Sequence, residues 1–299
     1  MKRYILLFLG LGAVVIASAQ QLTTASLYDQ HGNLHNPATA GASKHGSIGA
    51  SYRKMWDGID GGPQTTILFG SGYLSKAKLG IGGYIYNDVT GPTKRTGLQA
   101  ALAYHIPMAN DATFSLGLEG RFQQFSINKA KLQESLGTND PVLAGDDSRF
   151  KGDAGFGVAY NGQKLQLGVS VSQLIQSTLD FYTGNLSRTE EGRLYRHYYL
   201  HGSYKMNADG NTKIIPNILF IYLPNAPLEF QGGVRVEHRD LFWWGLSLRA
   251  RQSWMISAGL KIQKRFTIGY CFDIFTTPLS VFDGGSNGHE ILMKYDFLK

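Results

Sequence analysis

The sequence predicts an all-β fold: a single-chain antiparallel transmembrane β-barrel of about 14 strands, with short periplasmic turns and longer extracellular loops. Three observations lead there. The chain opens with an export signal, segments of alternating polarity follow one another almost to its end, and every second connection between them is tight.

Lys2 and Arg3 supply a positive start, Tyr4 to Ile16 an apolar run, and Ala17-Ser18-Ala19 a small-residue cleavage site before Gln20. Residues 1–19 therefore read as a secretory signal peptide, because the apolar run is shorter than the ~20 residues of a spanning helix. Gln rather than Cys at position 20 gives no support to a lipoprotein. Residues 20–46 form a periplasmic N-terminal segment in this reading, and residues 47–299 form the barrel, with both termini beside the tight turns.

The expected strands are 47–54, 64–73, 78–88, 96–106, 113–125, 153–161, 164–172, 195–206, 212–222, 228–238, 241–250, 253–263, 265–275 and 289–298. Phe114, Leu116, Leu118 and Phe122 alternate with Ser115, Gly117, Glu119 and Arg121; Leu165, Leu167, Val169 and Val171 with Gln166, Gly168, Ser170 and Ser172. Ile256, Ala258, Leu260 and Ile262 alternate in the same way with Ser257, Gly259, Lys261 and Gln263. A soluble sandwich also alternates. Here, however, charges recur on the second face strand after strand, at lengths near the ~9 to 11 residues of a tilted membrane strand.

Connection length carries the sidedness. Leu74 to Ala77, Pro107 to Ala112, Asn161-Gly162, Asn207 to Asn211, Arg239-Asp240 and Lys264 are short, and several carry the Asn, Asp and Gly of hairpin turns. The alternate set includes 55–63, 89–95, 126–152, 173–194 and 276–288, with two short exceptions near 223–227 and 251–252. Residues 126–152 and 173–194 are expected outside the cell, and Leu174 to Tyr182 is open to a second reading as an inward plug. Closure leaves no strand edge unpaired in lipid, where each free backbone group costs several kcal/mol.

Composition agrees with this architecture. Mean hydropathy is -0.16, since only alternate residues meet lipid, and the 37 glycines and 12% aromatic content suit strands. The formal charge of +7 is scattered, with no basic run to track a phosphate backbone, so no nucleic acid partner is expected. Cys271 is the only cysteine and shares a face with Thr267, Gly269 and Asp273, as a buried and inert thiol. Glu229, Arg235, Glu237, Arg249, Lys261 and Asp273 are assigned to the lumen by alternation, and their mixed signs predict ion pairs across it. His197 and His201 share a face of one strand with Tyr199, about 13 Å apart, which is too far for one metal; lumen packing is their expected role.

The least generic residues cluster in four short stretches. They are His35-Asn36-Pro37-Ala38 with its continuation to Gly41, Tyr52-Arg53-Lys54-Met55-Trp56-Asp57-Gly58-Ile59-Asp60-Gly61-Gly62-Pro63, Asn87-Asp88-Val89-Thr90-Gly91-Pro92, and Gly288-His289-Glu290-Ile291. Most of their physical content is structural. Pro37 holds an extended approach to the first strand, Gly58, Gly61, Gly62 and Pro63 shape a tight loop, and Gly91-Pro92 repeats the device. Trp56 fits either an interfacial girdle aromatic, the favoured reading, or an exposed partner anchor. Asp57 and Asp60 read as solvated loop acids, short of the six to eight oxygens that calcium takes.

In this order, and behind a signal peptide, the four stretches resemble the PorP/SprF family of the type IX secretion system. The resemblance implies a non-enzymatic outer-membrane component of protein secretion. It supports export or surface anchoring of cargo proteins such as gliding adhesins, or links the core machinery to the outer membrane. Its implied partners are outer-membrane lipid, secreted cargo, and periplasmic ring and peptidoglycan-binding components. A passive porin or small-solute uptake channel is the alternative that the residues alone leave open.

Catalytic patterns find little support. His289-Glu290 begins a zinc-protease motif, but Met293 stands where the second His belongs. Gly155-Phe156-Gly157 lacks the third glycine and the helix of a dinucleotide loop, and alternate glycines in a barrel strand explain it. No cofactor or metal is expected.

Overall fold

Fourteen antiparallel strands close on themselves in the computed structural model, which describes residues 25–31, 33–137, 147–179, 192–224, 226–276 and 287–298. The strands are β1 Gly46–Lys54, β2 Gln64–Leu74, β3 Leu79–Thr90, β4 Thr93–Pro107, β5 Thr113–Ile127, β6 Asp147–Asn161 and β7 Leu165–Ser172. They continue as β8 His197–Tyr204, β9 Thr212–Tyr222, β10 Glu229–His238, β11 Phe242–Arg249, β12 Ser253–Ile262, β13 Phe266–Phe275 and β14 Gly288–Phe297. Each pairs with its neighbour in sequence, and β1 closes the ring on β14 from Gly46 opposite Phe297 to Lys54 opposite His289.

Side-chain alternation gives the wall its two faces. In β5, Phe114, Leu116, Leu118 and Phe122 are exposed on the outside, while Ser115, Glu119, Arg121 and Gln123 are buried inside. Apolar residues outside and polar residues within are the inverse of a soluble core, as lipid requires. Cys271 is buried on the inner face of β13, beside Asp273. Among the inward charges, Arg249 and Asp273 are buried, and Arg235 donates to Glu237 at 3.0 Å.

The short connections gather at one end of the barrel, here the turn end, and the long ones at the other, the loop end. Two expectations change at the loop end. Residues 89–95 are no loop: Thr90 pairs with Thr93, and Gly91-Pro92 alone make the turn, with Gly91 at φ +54°. Much of 126–152 is also ladder, because β5 and β6 stay paired out to Ile127 and Asp147. Beyond them lies helix α1, Lys129–Leu136, started by the Asn128 side chain on the Lys131 N–H (2.8 Å) and ended by Gly137 in the left-handed region.

A further finding concerns the N-terminal segment that precedes β1. Over residues 25–31 and 33–41 it runs inside the barrel, from contacts with residues near the loop end to contacts with residues beside the turns. Only after Gly41 does it turn back into β1, so the C-terminal strand ends at the turn end as expected while Ala25 lies in the loop half. The physical reason is complementarity: the wall presents polar side chains and glycines together with an apolar patch that includes Phe69, Trp243, Met255 and Leu292, and this stretch meets the first with Ser26 and Asn36 and the second with Ala25, Leu27, Tyr28 and Leu34. The second reading of Leu174 to Tyr182 as a plug fails for its described part, since Ile175 is exposed and Leu174 N–H only pairs with Ala154 O at the rim. Residues 180–182 lie outside the described residues, as does the signal peptide.

Candidate functional site: the occupied lumen

The lumen holds its N-terminal segment at three levels. In the loop half, the Ser26 N–H donates to Glu290 Oε2 at 2.6 Å and its hydroxyl to Asp273 Oδ2 at 2.7 Å. Gln231 donates to Ser26 O at 3.1 Å; from there the chain dips, Tyr28 donating to Asn217 Oδ1 at 2.7 Å at mid-strand and Asp29 pairing with Arg235 nearer the turn end, before His31 returns to Ser51 at 2.8 Å. Arg53 organises this end: its Nη2 lies 2.7 Å from Asp273 and its Nε 3.8 Å from Glu290, all three nearly solvent-free. Charges buried this far need such pairing to be tolerated.

At mid-height the filling is aromatic. Leu34 and His35 pack among Ile67, Tyr84, Tyr86 and Tyr199, with His35 and Tyr199 ring centres 5.2 Å apart. Arg121 lies 5.8 Å above the Tyr84 ring and donates to Glu119 at 2.8 Å, and Gln99 donates to the other oxygen of Glu119 at 2.6 Å. Cavities beside the segment measure only about 10 and 20 Å³, space for about one water each.

In the turn half, close backbone approach joins polar contact. Asn36 opens a turn of 3₁₀ helix, Pro37–Thr39, by accepting from the Ala38 N–H at 2.9 Å. The same side chain donates to Val158 O at 3.0 Å and meets His201 Nε2 at 3.0 Å. Inward glycines on the wall make room. A Cβ at Gly117 would sit 2.5 Å from Ala38 Cα, one at Gly168 2.6 Å from Asn36 Nδ2, and one at Gly80 2.6 Å from Ala40 C. Ala40 O then accepts from His105 at 2.8 Å, and the Gly41 N–H donates to Ser71 at 2.7 Å.

These contacts locate the residues singled out in the sequence. Asn36 and Pro37 form the foot of the segment, and Arg53 and Glu290 hold its head. His201 packs on Asn36, while His197 and Tyr199 face the lumen as expected. Tyr52 points outward, its hydroxyl donating to Gln64 at 3.3 Å. His289 also faces away from Glu290, with Nδ1 2.7 Å from the Tyr270 hydroxyl, so the partial zinc-protease motif is split across the wall. Among the described residues no cluster of three or more His, Cys, Asp or Glu is placed to hold a metal. A Gly-x-Ser-x-Gly spacing at 284–288 lies mostly outside the described residues, and Gly288 begins a strand instead of the helix that a nucleophile elbow requires.

The remaining stretches converge at the loop end. Trp56 takes φ +54° and is half-buried, its carbonyl accepting from the Ile59 N–H at 2.9 Å; Met55 N–H returns to Pro63 O at 2.8 Å, and Gly58 and Asp60 stay exposed. The Gly91 N–H donates to Gly61 O at 2.9 Å, which ties the first loop to the Gly91-Pro92 turn. Below it, Asp88 accepts from Thr65 at 2.6 Å and from Arg95 at 3.0 Å, and Asn87 accepts from Thr96 at 3.1 Å. Asp57 joins the third element, its N–H donating to Asn287 O at 3.0 Å. Its hydrogen bond from Lys54 holds the Asp57 carboxyl below the usual carboxylate range.

What sequence reasoning missed is the occupant. A readable signal existed in the inward glycines Gly80, Gly117, Gly157 and Gly168, which leave space on a face where side chains otherwise fill the barrel.

The chain is similar in fold to solved outer-membrane barrels. These include Omp33 of Acinetobacter baumannii (9% identity, 85% of this chain and 98% of that one, TM-score 0.48) and the P. putida toluene transporter TodX (9%, 88% and 93%, 0.49). CymD, a monoaromatic hydrocarbon channel, has 9% identity, with 88% of this chain and 92% of that one covered and a TM-score of 0.49. No curated protein matches the chain in sequence. Residues 17–295 match the family described as type IX secretion system membrane protein PorP/SprF. With nearly its whole length matched, the chain belongs to the PorP/SprF family of type IX secretion system membrane proteins.

Proposed function

We propose that this outer-membrane barrel serves type IX secretion as a closed, non-enzymatic platform. It supports export or surface anchoring of cargo proteins, gliding adhesins among them, or links the core machinery to the outer membrane. Supporting this reading is one observation above the rest: residues 25–31 and 33–41 fill the lumen and bond to the wall around its circumference. A barrel filled in this way is suited to holding other proteins at its two ends and poorly suited to passing solutes through its middle.

In this reading a signal peptide ending at Ala19 is removed, the turn end faces the periplasm, and the loop end faces outward. The periplasmic ring and peptidoglycan-binding components then meet the turn end. Cargo meets the loops, including residues 126–152 and 173–194, because loops on a rigid scaffold commonly carry binding function. Deleting the gene and cataloguing secreted and surface proteins tests the role. Cargo retained in the periplasm is expected, and an unchanged surface and secreted set refutes it. Cysteines placed in a long loop and in a turn, labelled on intact cells, test the sidedness.

A further inference from the structure

Folding does not account for the cations of the turn end. Lys76 and Lys78 stand in the β2–β3 turn, Lys164 in β6–β7, Lys205 in β8–β9, Arg239 in β10–β11 and Lys264 in β12–β13, so five of the six turns carry at least one. Lys78, Arg239 and Lys264 take φ of +54°, +53° and +58°. Turn positions of this kind favour Gly or Asn, so backbone geometry alone selects against the residues present.

The same cations are left without counter-charges. All six are exposed, and among the described residues none of them forms an ion pair. Carboxylates at this end are engaged elsewhere: Asp240 pairs with Lys213, Asp296 pairs with Lys294 at 3.1 Å, and Asp209 accepts from the N–H groups of Asn211 and Thr212 at 2.7 and 2.6 Å. At the loop end, by contrast, Lys54 pairs with Asp57, Arg95 with Asp88 and Lys129 with Asp147.

Placement points to the ligand. Each of the five turns sets a cation within two residues of an exposed apolar side chain at the edge of the lipid face, namely Leu74, Leu165, Tyr204, Leu241 or Ile262. Charged groups on long stems at that edge reach the headgroup layer that borders the hydrocarbon. The cations also follow the circumference. A leaflet surrounds a barrel on all sides, whereas a docked protein covers one sector or the axial end.

We propose that the turn end carries a cationic belt that binds the phosphates of anionic phospholipids in the leaflet around it. The assignment rests on the barrel's place in a membrane and not on its role in secretion.

Trp244 supplies the test. It is exposed on the lipid face of β11, between the turns that carry Arg239 and Lys264, and Trp254→Phe removes the other tryptophan exposed on that face. In vesicles of phosphatidylcholine, quenching of Trp244 by brominated phosphatidylglycerol and by brominated phosphatidylcholine gives the relative association of the two lipids. A preference of about threefold or more for phosphatidylglycerol is expected, falling to parity in about 1 M salt. Lys76→Gln, Lys78→Gln, Lys205→Gln, Arg239→Gln and Lys264→Gln together should abolish it at low salt, while Lys94→Gln, Lys131→Gln and Arg251→Gln at the loop end should leave it intact. Parity in the parent overturns the proposal and leaves the belt to an acidic protein. A preference that survives the turn-end substitutions, or that the loop-end substitutions remove, overturns it as well.

Discussion

Replacing Gly80 by Ala tests the foot of the segment at a single atom. The added Cβ would overlap the Ala40 carbonyl oxygen and stand 2.6 Å from its carbon and 2.7 Å from His105 Nε2. Two of these atoms are backbone, so no rotamer change relieves them, and the foot has to move by about 1 Å to restore van der Waals separation. Forcing a methyl into a packed site costs about 1–3 kcal/mol. Movement also stretches the His105 to Ala40 hydrogen bond of 2.8 Å, and a buried carbonyl left unpaired costs about 1–3 kcal/mol more. A loss of about 3 kcal/mol is therefore expected. Gly120 is the control: it lies on the outer face of β5 with nothing within 4 Å of an added Cβ, so Gly120→Ala should stay within about 0.5 kcal/mol of the parent. Denaturant unfolding in detergent micelles, followed by heat-shifted mobility and tryptophan fluorescence, reads both. Ala40→Gly should not rescue Gly80→Ala, because the overlap is with main chain. Equal unfolding midpoints for the two glycine variants would refute the docked foot.

Three further outcomes follow from the same contacts. Arg53→Ala strands Asp273 and Glu290 in a nearly dry site and should cost about 3–5 kcal/mol, whereas Arg53→Met combined with Asp273→Leu and Glu290→Gln, which leaves no carboxylate stranded, should cost much less; the same unfolding assay compares them. Asn36→Ala removes the turn's cap and the bond to Val158 O, for an expected loss of about 1–3 kcal/mol without change in barrel strand content by circular dichroism. Leu118→Arg places a charge at the middle of the lipid face, where Leu118 is 64% exposed, and should lower stability in lipid bilayers by about 2–4 kcal/mol.

How much of this was legible depended on whether a residue obeys a period. Every barrel strand shows in the alternation of β5, β7 and β12 and their kin, because lipid and lumen impose opposite polarities on successive residues. Strand ends were less legible. Residues 147–152 and 89–95 read as loop because above the membrane band the outward face no longer needs to be apolar, so the period fades while the ladder continues. Arg53 and Glu290 were visible as unusual, yet their joint role needs Asp273, which is distant in sequence from Arg53 and joined to it only by the closure of β1 on β14. The docking of residues 25–31 and 33–41 in the lumen was not legible because they form no strand and only short turns. The foot of the segment is positioned partly by what the wall lacks, glycine by glycine, and a missing side chain leaves no periodic trace.

The closed lumen is tested most directly by the single-channel conductance of the purified full-length protein in planar bilayers. The docked segment predicts a silent baseline under applied voltage. Steady ohmic steps from folded, full-length protein would contradict it and restore the porin reading.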